Sequence, residues 1–275
     1  KKLNSTKNNN FIELMNSQFF NPLEEIKLSK SIKKIGCINN QVSMKVKSQY
    51  EENPYPRWKY SYSFYDSKIN SFQVINSEIN PNSIESKSNL NEPNILIAGC
   101  GTGSQVFQAQ KYNNAEIVAI DLSSSSLSYT QRKLNESEIE NVKLIQMDIL
   151  DSNLLNQKFD IIECSGVLHH MSKPGKGLEI LTSLLNNHGY LKLGLYSELA
   201  RKDIIKFREY VNKYNIKSNK EGILNFRQEI IRNSIPDLNF VKTIPNFYSC
   251  SELRDLCFHK QEHRYNIDQI EEILK

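Results

Sequence analysis

Three glycines at alternating positions, Gly99, Gly101 and Gly103, follow the apolar run Ile95-Leu96-Ile97-Ala98. This spacing suits a buried strand that ends in a tight turn and opens a helix, because a residue without a Cβ adopts unusual φ/ψ and lets a ligand approach the backbone. A helix opening near Gly103 aims unpaired N–H groups into the same crevice, so the turn reads as one that holds a nucleotide. Ser104 stands where the dinucleotide fingerprint G-x-G-x-x-G has its last glycine, and the resulting G-x-G-x-G order counts against a nicotinamide oxidoreductase.

A second apolar run, Glu116-Ile117-Val118-Ala119-Ile120, delivers Asp121 at its tip, where a carboxylate can accept both hydroxyls of a ribose. A third strand over 142–147 delivers Asp148 in the same way. A fourth, over 159–164, is followed by Ser165-Gly166-Val167-Leu168-His169-His170-Met171. His169 and His170 are the candidates for a general base, since their loop lies at the carboxyl end of that strand. Adjacent residues in a turn or helix do not both point inward, so one at most reaches the chemistry.

This ordered set of landmarks resembles the class I S-adenosylmethionine (SAM) methyltransferases, specifically those whose fourth strand ends in a Leu-His-His loop, over residues 94–196. The resemblance implies a Rossmann-like fold with SAM as cofactor. It places Gly99, Gly101 and Gly103 beside the methionine and ribose moieties, Asp121 on the ribose hydroxyls, Asp148 near the adenine amino group with Ile149 against the ring, and Ser165 behind the sulfonium. Ala98, Cys100, Thr102 and Leu122 complete the cofactor-binding set. Many members of the family have an acidic residue where this chain has Ala98, so recognition of the SAM amino group must come from elsewhere.

The block Gln49-Tyr50-Glu51-Glu52-Asn53-Pro54-Tyr55-Pro56-Arg57-Trp58 is the second constellation. Its prolines fix an extended turn that carries Tyr55, Arg57 and the single Trp of the chain. One reading is a hydrophobic clamp; the other is an active-site lid, in which aromatic faces attract a sulfonium cation and a guanidinium binds a substrate carboxylate or phosphate. The block is similar to one in bacterial methyltransferase domains that are often joined to tetratricopeptide arrays. That resemblance extends to residues 249–264 and favours the lid. It implies a substrate side built from Tyr50, Tyr55, Arg57, Trp58 and Tyr196, with His259, Glu262, His263 and Arg264 from the C-terminal block. Asn53-Pro54-Tyr55-Pro56 is not the Asn/Asp-Pro-Pro-Tyr motif of DNA adenine methyltransferases, which sits at the tip of the fourth strand. That tip here is Glu163-Cys164-Ser165-Gly166, which disfavours methylation of a nucleobase amino group, and it has no Pro-Cys nucleophile for cytosine C5 chemistry.

His259, Glu262 and His263 also match H-x-x-E-H, the inverted zinc-protease motif. A third ligand should lie well downstream, where little sequence remains, so no metal is expected.

The elements that position these residues alternate as βαβαβαβ from residue 94, the pattern of a doubly wound, mostly parallel sheet. The fifth strand is expected over 190–196, and helices over 175–185, 198–214, 221–233, 249–258 and 267–274. The antiparallel hairpin that normally closes the fold is not legible, and only 240–244 could form a late strand. Four regions result: a disordered tail over 1–10, a helical lid segment with a polar, irregular wrap over 11–93, the SAM-binding core over 94–197, and a helical substrate-side region over 198–275. The opening Lys1 suggests a processed or excised segment.

Net charge is +4 with 24% charged residues, and the lysines are scattered, so nucleic-acid binding is not expected. Five cysteines without a C-x-x-C pair suit reduced thiols in the cytoplasm. No apolar run reaches the length of a membrane span. The leading expectation is a SAM-dependent methyltransferase of unidentified acceptor, with a protein lysine and a carboxylated or glycan-linked small molecule both open. The alternative is a non-catalytic SAM-binding or scaffold module of a larger protein.

Overall fold

The apolar run ahead of the glycine turn is buried on both faces. In the computed structural model, which describes residues 8–60, 68–85 and 90–275, Ile95 and Ile97 enter one hydrophobic cluster while Leu96 and Ala98 enter the other. The two-residue period of a strand sends alternate side chains to opposite faces, so a strand covered on both sides reads as continuous apolar sequence. The same division puts Ile117 and Ala119 on one face and Val118 and Ile120 on the other.

Six strands form the sheet: β1 (Lys33–Lys34), β2 (Asn94–Ala98), β3 (Glu116–Asp121), β4 (Val142–Gln146), β5 (Phe159–Ser165) and β6 (Leu185–Gly194), in the order β1-β4-β3-β2-β5-β6. Every pairing is parallel. Helices Ser104–Gln108, Ser124–Glu136 and Pro174–Ser183 make crossovers, and the chain reverses its direction of travel across the sheet between β4 and β5. The resulting switch point between β2 and β5, at the carboxyl ends of the strands, is where open α/β sheets form a ligand crevice. This is the doubly wound, Rossmann-like architecture of class I methyltransferases, with helical N- and C-terminal parts.

Several details differ from the sequence reading. Lys33 and Lys34 add an edge strand beside Ile145 and Gln146; two exposed lysines carry no alternation that could announce it. β6 begins at Leu185, before the expected 190, through the polar stretch Asn186-Asn187-His188. Within the expected irregular wrap lies the helix Ser71–Ile79, whose Val74 is buried and whose N-terminus is capped by Asn70. The helix Asn9–Met15 starts inside the expected tail, while residues 1–7 lie outside the described residues. The stretch 240–244 is no strand: it continues the 3-10 helix Pro236–Thr243. Leu238 and Val241, three residues apart, share one face of such a helix and are buried.

That face belongs to a third hydrophobic cluster, which also holds Phe207, Phe226, Phe247 and Leu253 from the helices after β6. Among the described residues no antiparallel hairpin closes the sheet; instead Tyr265 donates its N–H to the Tyr196 carbonyl beyond the end of β6.

Candidate active site

A cavity of about 270 Å³ opens at the carboxyl ends of the strands. Its floor comes from the loops after β2 (Gly99, Cys100, Gly101), β3 (Asp121, Leu122), β4 (Asp148, Ile149) and β5 (Ser165), with Tyr196 from beyond β6. Its cover comes from helix Gln41–Glu52 and the turn after it. Ser43, Val46 and Tyr50 line the cavity because three- and four-residue steps keep them on one helix face.

The glycine turn needs its glycines. Gly99 has φ +78°, and a Cβ there would stand 2.3 Å from Val167 Cγ2. At Gly101, φ +52°, the lid approaches instead: a Cβ would lie 3.2 Å from the Tyr55 carbonyl oxygen. Gly99→Ala should therefore cost about 1–3 kcal/mol of stability from backbone strain alone, with the Val167 overlap in addition. Urea unfolding of the variant checks this, and an unchanged midpoint would show that the turn relaxes.

Asp121 ties the tip of β3 to that turn. Its Oδ2 accepts the Gly101 N–H at 2.9 Å and its Oδ1 the Ser123 N–H at 2.8 Å. Burial pushes the carboxyl up to about 6, against the lowering effect of the Ser123 and Gly101 hydrogen bonds. Asp148 caps the 3-10 helix Ile149–Leu155 by accepting the Leu150 N–H at 3.0 Å. Both carboxylates open on the cavity. Burial, then the charge of Asp121, drives the Cys100 thiol well up, so this cysteine stays a thiol.

Two of the lid's fastenings lie at Glu51 and Pro56. Glu51 accepts the N–H groups of Ser124 and Ser125 at 2.8 and 3.0 Å, placing a carboxylate on the N-terminus of helix Ser124–Glu136. Burial opposes the charge of Glu51, but the Ser125 and Ser124 hydrogen bonds hold the carboxyl below the usual range. The Thr102 hydroxyl donates to the Pro56 carbonyl, so Thr102 serves the lid from behind the turn rather than lining the cavity. Ala98 and Gly103 likewise stand behind the cavity wall.

Arg57 and Trp58 do not reach the cavity. Arg57 pairs with Glu25 at 2.9 Å and lies 5.2 Å over the Tyr129 ring, with its side chain 45% exposed. Trp58 donates its ring N–H to the Thr102 carbonyl at 3.0 Å and packs edge-on against Phe107 and Tyr129. The block thus combines both readings made of it: Tyr50 and Tyr55 face the ligand space, and Arg57 with Trp58 clamps the segment to the domain.

The two histidines diverge. His169 is fully buried, stacked on Tyr196 at 3.7 Å, and neither ring nitrogen has a hydrogen-bond partner. Burial, with His170 next, pushes it down to about 3. His170 lines the cavity. Its Nδ1 lies 2.7 Å from the Gln261 carbonyl oxygen, which can only accept, so Nδ1 carries the proton and Nε2 the lone pair. Burial pushes this ring down to about 4 despite the Gln261 bond, so it is neutral at physiological pH.

The block His259 to Arg264 supports that loop from outside. His259 stacks on His170 at 3.5 Å and shares the Gln261 carbonyl, at 2.9 Å from Nδ1. The His263 N–H donates to the His169 carbonyl at 2.7 Å, and its Nε2 lies 3.1 Å from the Met171 carbonyl oxygen. Glu262 meets Arg201 at 2.6 Å, Arg264 at 3.4 Å and Arg208 at 3.6 Å. These side chains face different partners, and only His259 touches the helix Cys250–Phe258, as its C-cap. The helical geometry that an H-x-x-E-H metal site needs is not formed.

Sequence reasoning missed Asp255, which is 8% exposed and lines the cavity from helix Cys250–Phe258. A carboxylate set among Leu253, Leu256, Cys257 and Phe258 was the available signal.

The fold and this crevice define a class I methyltransferase-type domain. A family model described as a methyltransferase domain matches residues 89–237, more than half of the chain, and the chain belongs to that family. It is 32% identical over 192 residues to an uncharacterized protein of Synechococcus sp., covering 66% of this chain and 46% of that protein. It is 32% identical over 146 residues to an uncharacterized protein of Rickettsia prowazekii, covering 52% and 55%. The chain thus spans about half the length of the curated relatives it matches. The solved structure of PKMT2 from Rickettsia typhi in complex with AdoHcy superposes with a TM-score of 0.58 at 22% identity, covering 80% of this chain and 44% of that one.

Proposed function

We propose that this domain is a SAM-dependent methyltransferase. The observation that carries the reading is the meeting of a carboxylate at the tip of β3, Asp121, with a glycine turn at the crevice whose missing Cβ atoms let Val167 and the Tyr55 carbonyl of the lid close in on it. The cofactor is S-adenosylmethionine: Asp121 would take the ribose hydroxyls, Asp148 and Ile149 the adenine, and the Gly99 to Gly101 backbone with Ser165 the methionine end. When bound, it supplies a methyl group on a sulfonium, already activated toward in-line displacement. The chain contributes chiefly orientation and exclusion of water, through the lid face of Ser43, Val46 and Tyr50. His170, neutral and with the Nε2 lone pair, is the residue suited to accept a hydrogen bond from an acceptor, although burial keeps it a weak base; His169, sealed behind Tyr196, is a packing residue.

The reading extends to the surroundings of the domain. Residues 198–275 form its substrate-side region, and tetratricopeptide repeats are its expected neighbours in the parent protein. No helix among the described residues is long and apolar enough to cross a membrane. The five cysteines are all free thiols, three of them buried, which suits a reducing cytoplasm.

Calorimetry of the full chain should show one site for SAM and one for its demethylated product, S-adenosylhomocysteine. Incubation with methyl-labelled SAM and cell extract should transfer label. Absence of binding overturns the reading, and binding without any transfer favours the non-catalytic alternative.

A further inference from the structure

The order of the strands sorts the cavity into two halves. Asp121 and Asp148 follow β3 and β4 on one side of the glycine turn; Ser165, His170 and Tyr196 follow β5 and β6 on the other. Asp255 belongs to the second half, because its Oδ1 accepts the Tyr50 hydroxyl at 2.5 Å and Tyr50 packs toward His259, which stacks on His170. Asp148 is therefore on the far side, and Asp255 stands with His170 and Tyr196 where the methionine end at Ser165 would meet the acceptor.

Asp255 has no ion-pair partner among the described residues, and its Oδ2 accepts no hydrogen bond from them. Each nearby cation is committed elsewhere. Arg201 and Arg208 are drawn to Glu262, Arg254 to Glu52, and Arg57 to Glu25. No lysine or arginine lines the cavity. An anionic acceptor would lie beside a buried carboxylate that has no ion pair of its own, the nearby charges of Arg201 and Arg208 being offset by Glu262, an arrangement that like-charge repulsion and desolvation both disfavour. Three tyrosines, Tyr50, Tyr55 and Tyr196, complete the wall; the Tyr196 ring is covered by stacked His169 at 3.7 Å and by the Arg201 guanidinium at 4.0 Å, so it offers its hydroxyl rather than its face. Burial first and the Asp255 charge second push the Tyr55 and Tyr196 hydroxyls up to about 12, so both remain neutral phenols. A carboxylate beside the rings of Tyr50 and Tyr55 and the hydroxyl of Tyr196 is a surface for an ammonium group.

We infer that the acceptor is an amine, held as its ammonium ion by Asp255 among Tyr50, Tyr55 and Tyr196. This rests on the methyltransferase reading above. The ammonium must release one proton, to the Asp255 carboxylate, before its lone pair can form the N–C bond. The C–S bond would break in the same in-line step as the N–C bond forms, so that sulfur leaves as a neutral thioether and the positive charge stays on the methylated nitrogen beside the carboxylate.

The test is calorimetry on the full chain saturated with S-adenosylhomocysteine, using two amine probes, 1,5-diaminopentane and the peptide acetyl-Gly-Lys-Gly-amide, and two acid controls, glutarate and acetyl-Gly-Glu-Gly-amide. At least one amine should bind and neither acid should. The diamine alone would point to a small-molecule acceptor, and the peptide alone to a lysine side chain. Asp255→Asn should weaken amine binding about tenfold or more while S-adenosylhomocysteine affinity stays within about threefold. Tyr55→Leu, a second variant that leaves the carboxylate in place, should weaken the same binding. Binding of the acids, binding of none of the four at millimolar concentration, or an unchanged amine affinity in Asp255→Asn overturns the proposal. So does an equal loss of S-adenosylhomocysteine affinity in that variant, which would assign Asp255 to the cofactor's own amino group. Wild-type protein that fails to bind S-adenosylhomocysteine overturns the methyltransferase reading itself.

Discussion

Asp121→Ala should weaken SAM binding by at least about a hundredfold, since two charge-assisted hydrogen bonds to ribose, at about 1.5–3 kcal/mol each, are lost together. A further loss comes from the turn, because the Gly101 and Ser123 N–H groups that Asp121 accepts are left without it. The domain should still fold. The Gly99 and Cys100 N–H groups remain bonded to the Ile120 carbonyl at 2.8 and 3.0 Å, and the sheet below keeps both hydrophobic faces. Calorimetry beside a thermal melt separates the two effects, and unchanged affinity in a folded variant would remove Asp121 from the nucleotide site. The same carboxyl, pushed up to about 6 by burial, makes SAM affinity of the wild type fall as pH drops through about 6.

Acid should destabilise the protein through its buried histidines, and His259→Gln should remove a measurable share of that effect. Burial, then His170, pushes His259 down to about 2 from an ordinary 6.5. The unfolded chain takes up a proton below about pH 6.5 that the folded chain refuses, so this contribution is whole above 6.5 and is lost as pH falls toward the folded value. His169 and His170, at about 3 and 4, act in the same direction. Asp121 and Asp255, both raised to about 6 by burial, act oppositely between about pH 4 and 6, where the folded state holds protons that the unfolded state has released. Glu163, raised by burial, acts with these two, while Glu51, Glu78, Glu136 and Glu262, held low by their hydrogen bonds and charge partners, act with the histidines, which leaves a net loss of stability in acid. Each proton is worth about 1.4 kcal/mol per pH unit, so the variant should flatten the slope of unfolding free energy by about that amount between pH 6 and 4. Urea unfolding over that range measures it, and an identical slope would show that His259 is protonated in the folded state.

The part of the cavity built from the strand tips was legible because backbone chemistry and burial dictate it locally. A continuous apolar run, glycines at fixed spacing and an acid at a strand tip are each readable within a few residues, and Gly99, Asp121, Asp148 and Ser165 all line the cavity. Arg57 was misplaced for a physical reason: a guanidinium goes to the best available carboxylate, and Glu25, far upstream in sequence, could not be seen as its partner. The edge strand Lys33–Lys34 left no pattern because both side chains are exposed. Asp255 was missed because its meaning depends on Tyr50, which helix packing brings to it from the other end of the chain.

That last pairing joins residues 205 positions apart. Closing so long a loop costs conformational entropy, and no strand pairing of the sheet depends on it. The sheet can therefore assemble before the clasp between the ends of the chain closes, and the clasp can open again without unfolding the sheet. A ligand held between Tyr50 and Asp255 would bind only the closed form and so weight the equilibrium toward it. Protection of the amides of helices Gln41–Glu52 and Cys250–Phe258 from hydrogen exchange would then rise with occupancy, while that of β2 and β3 would already be set by the sheet.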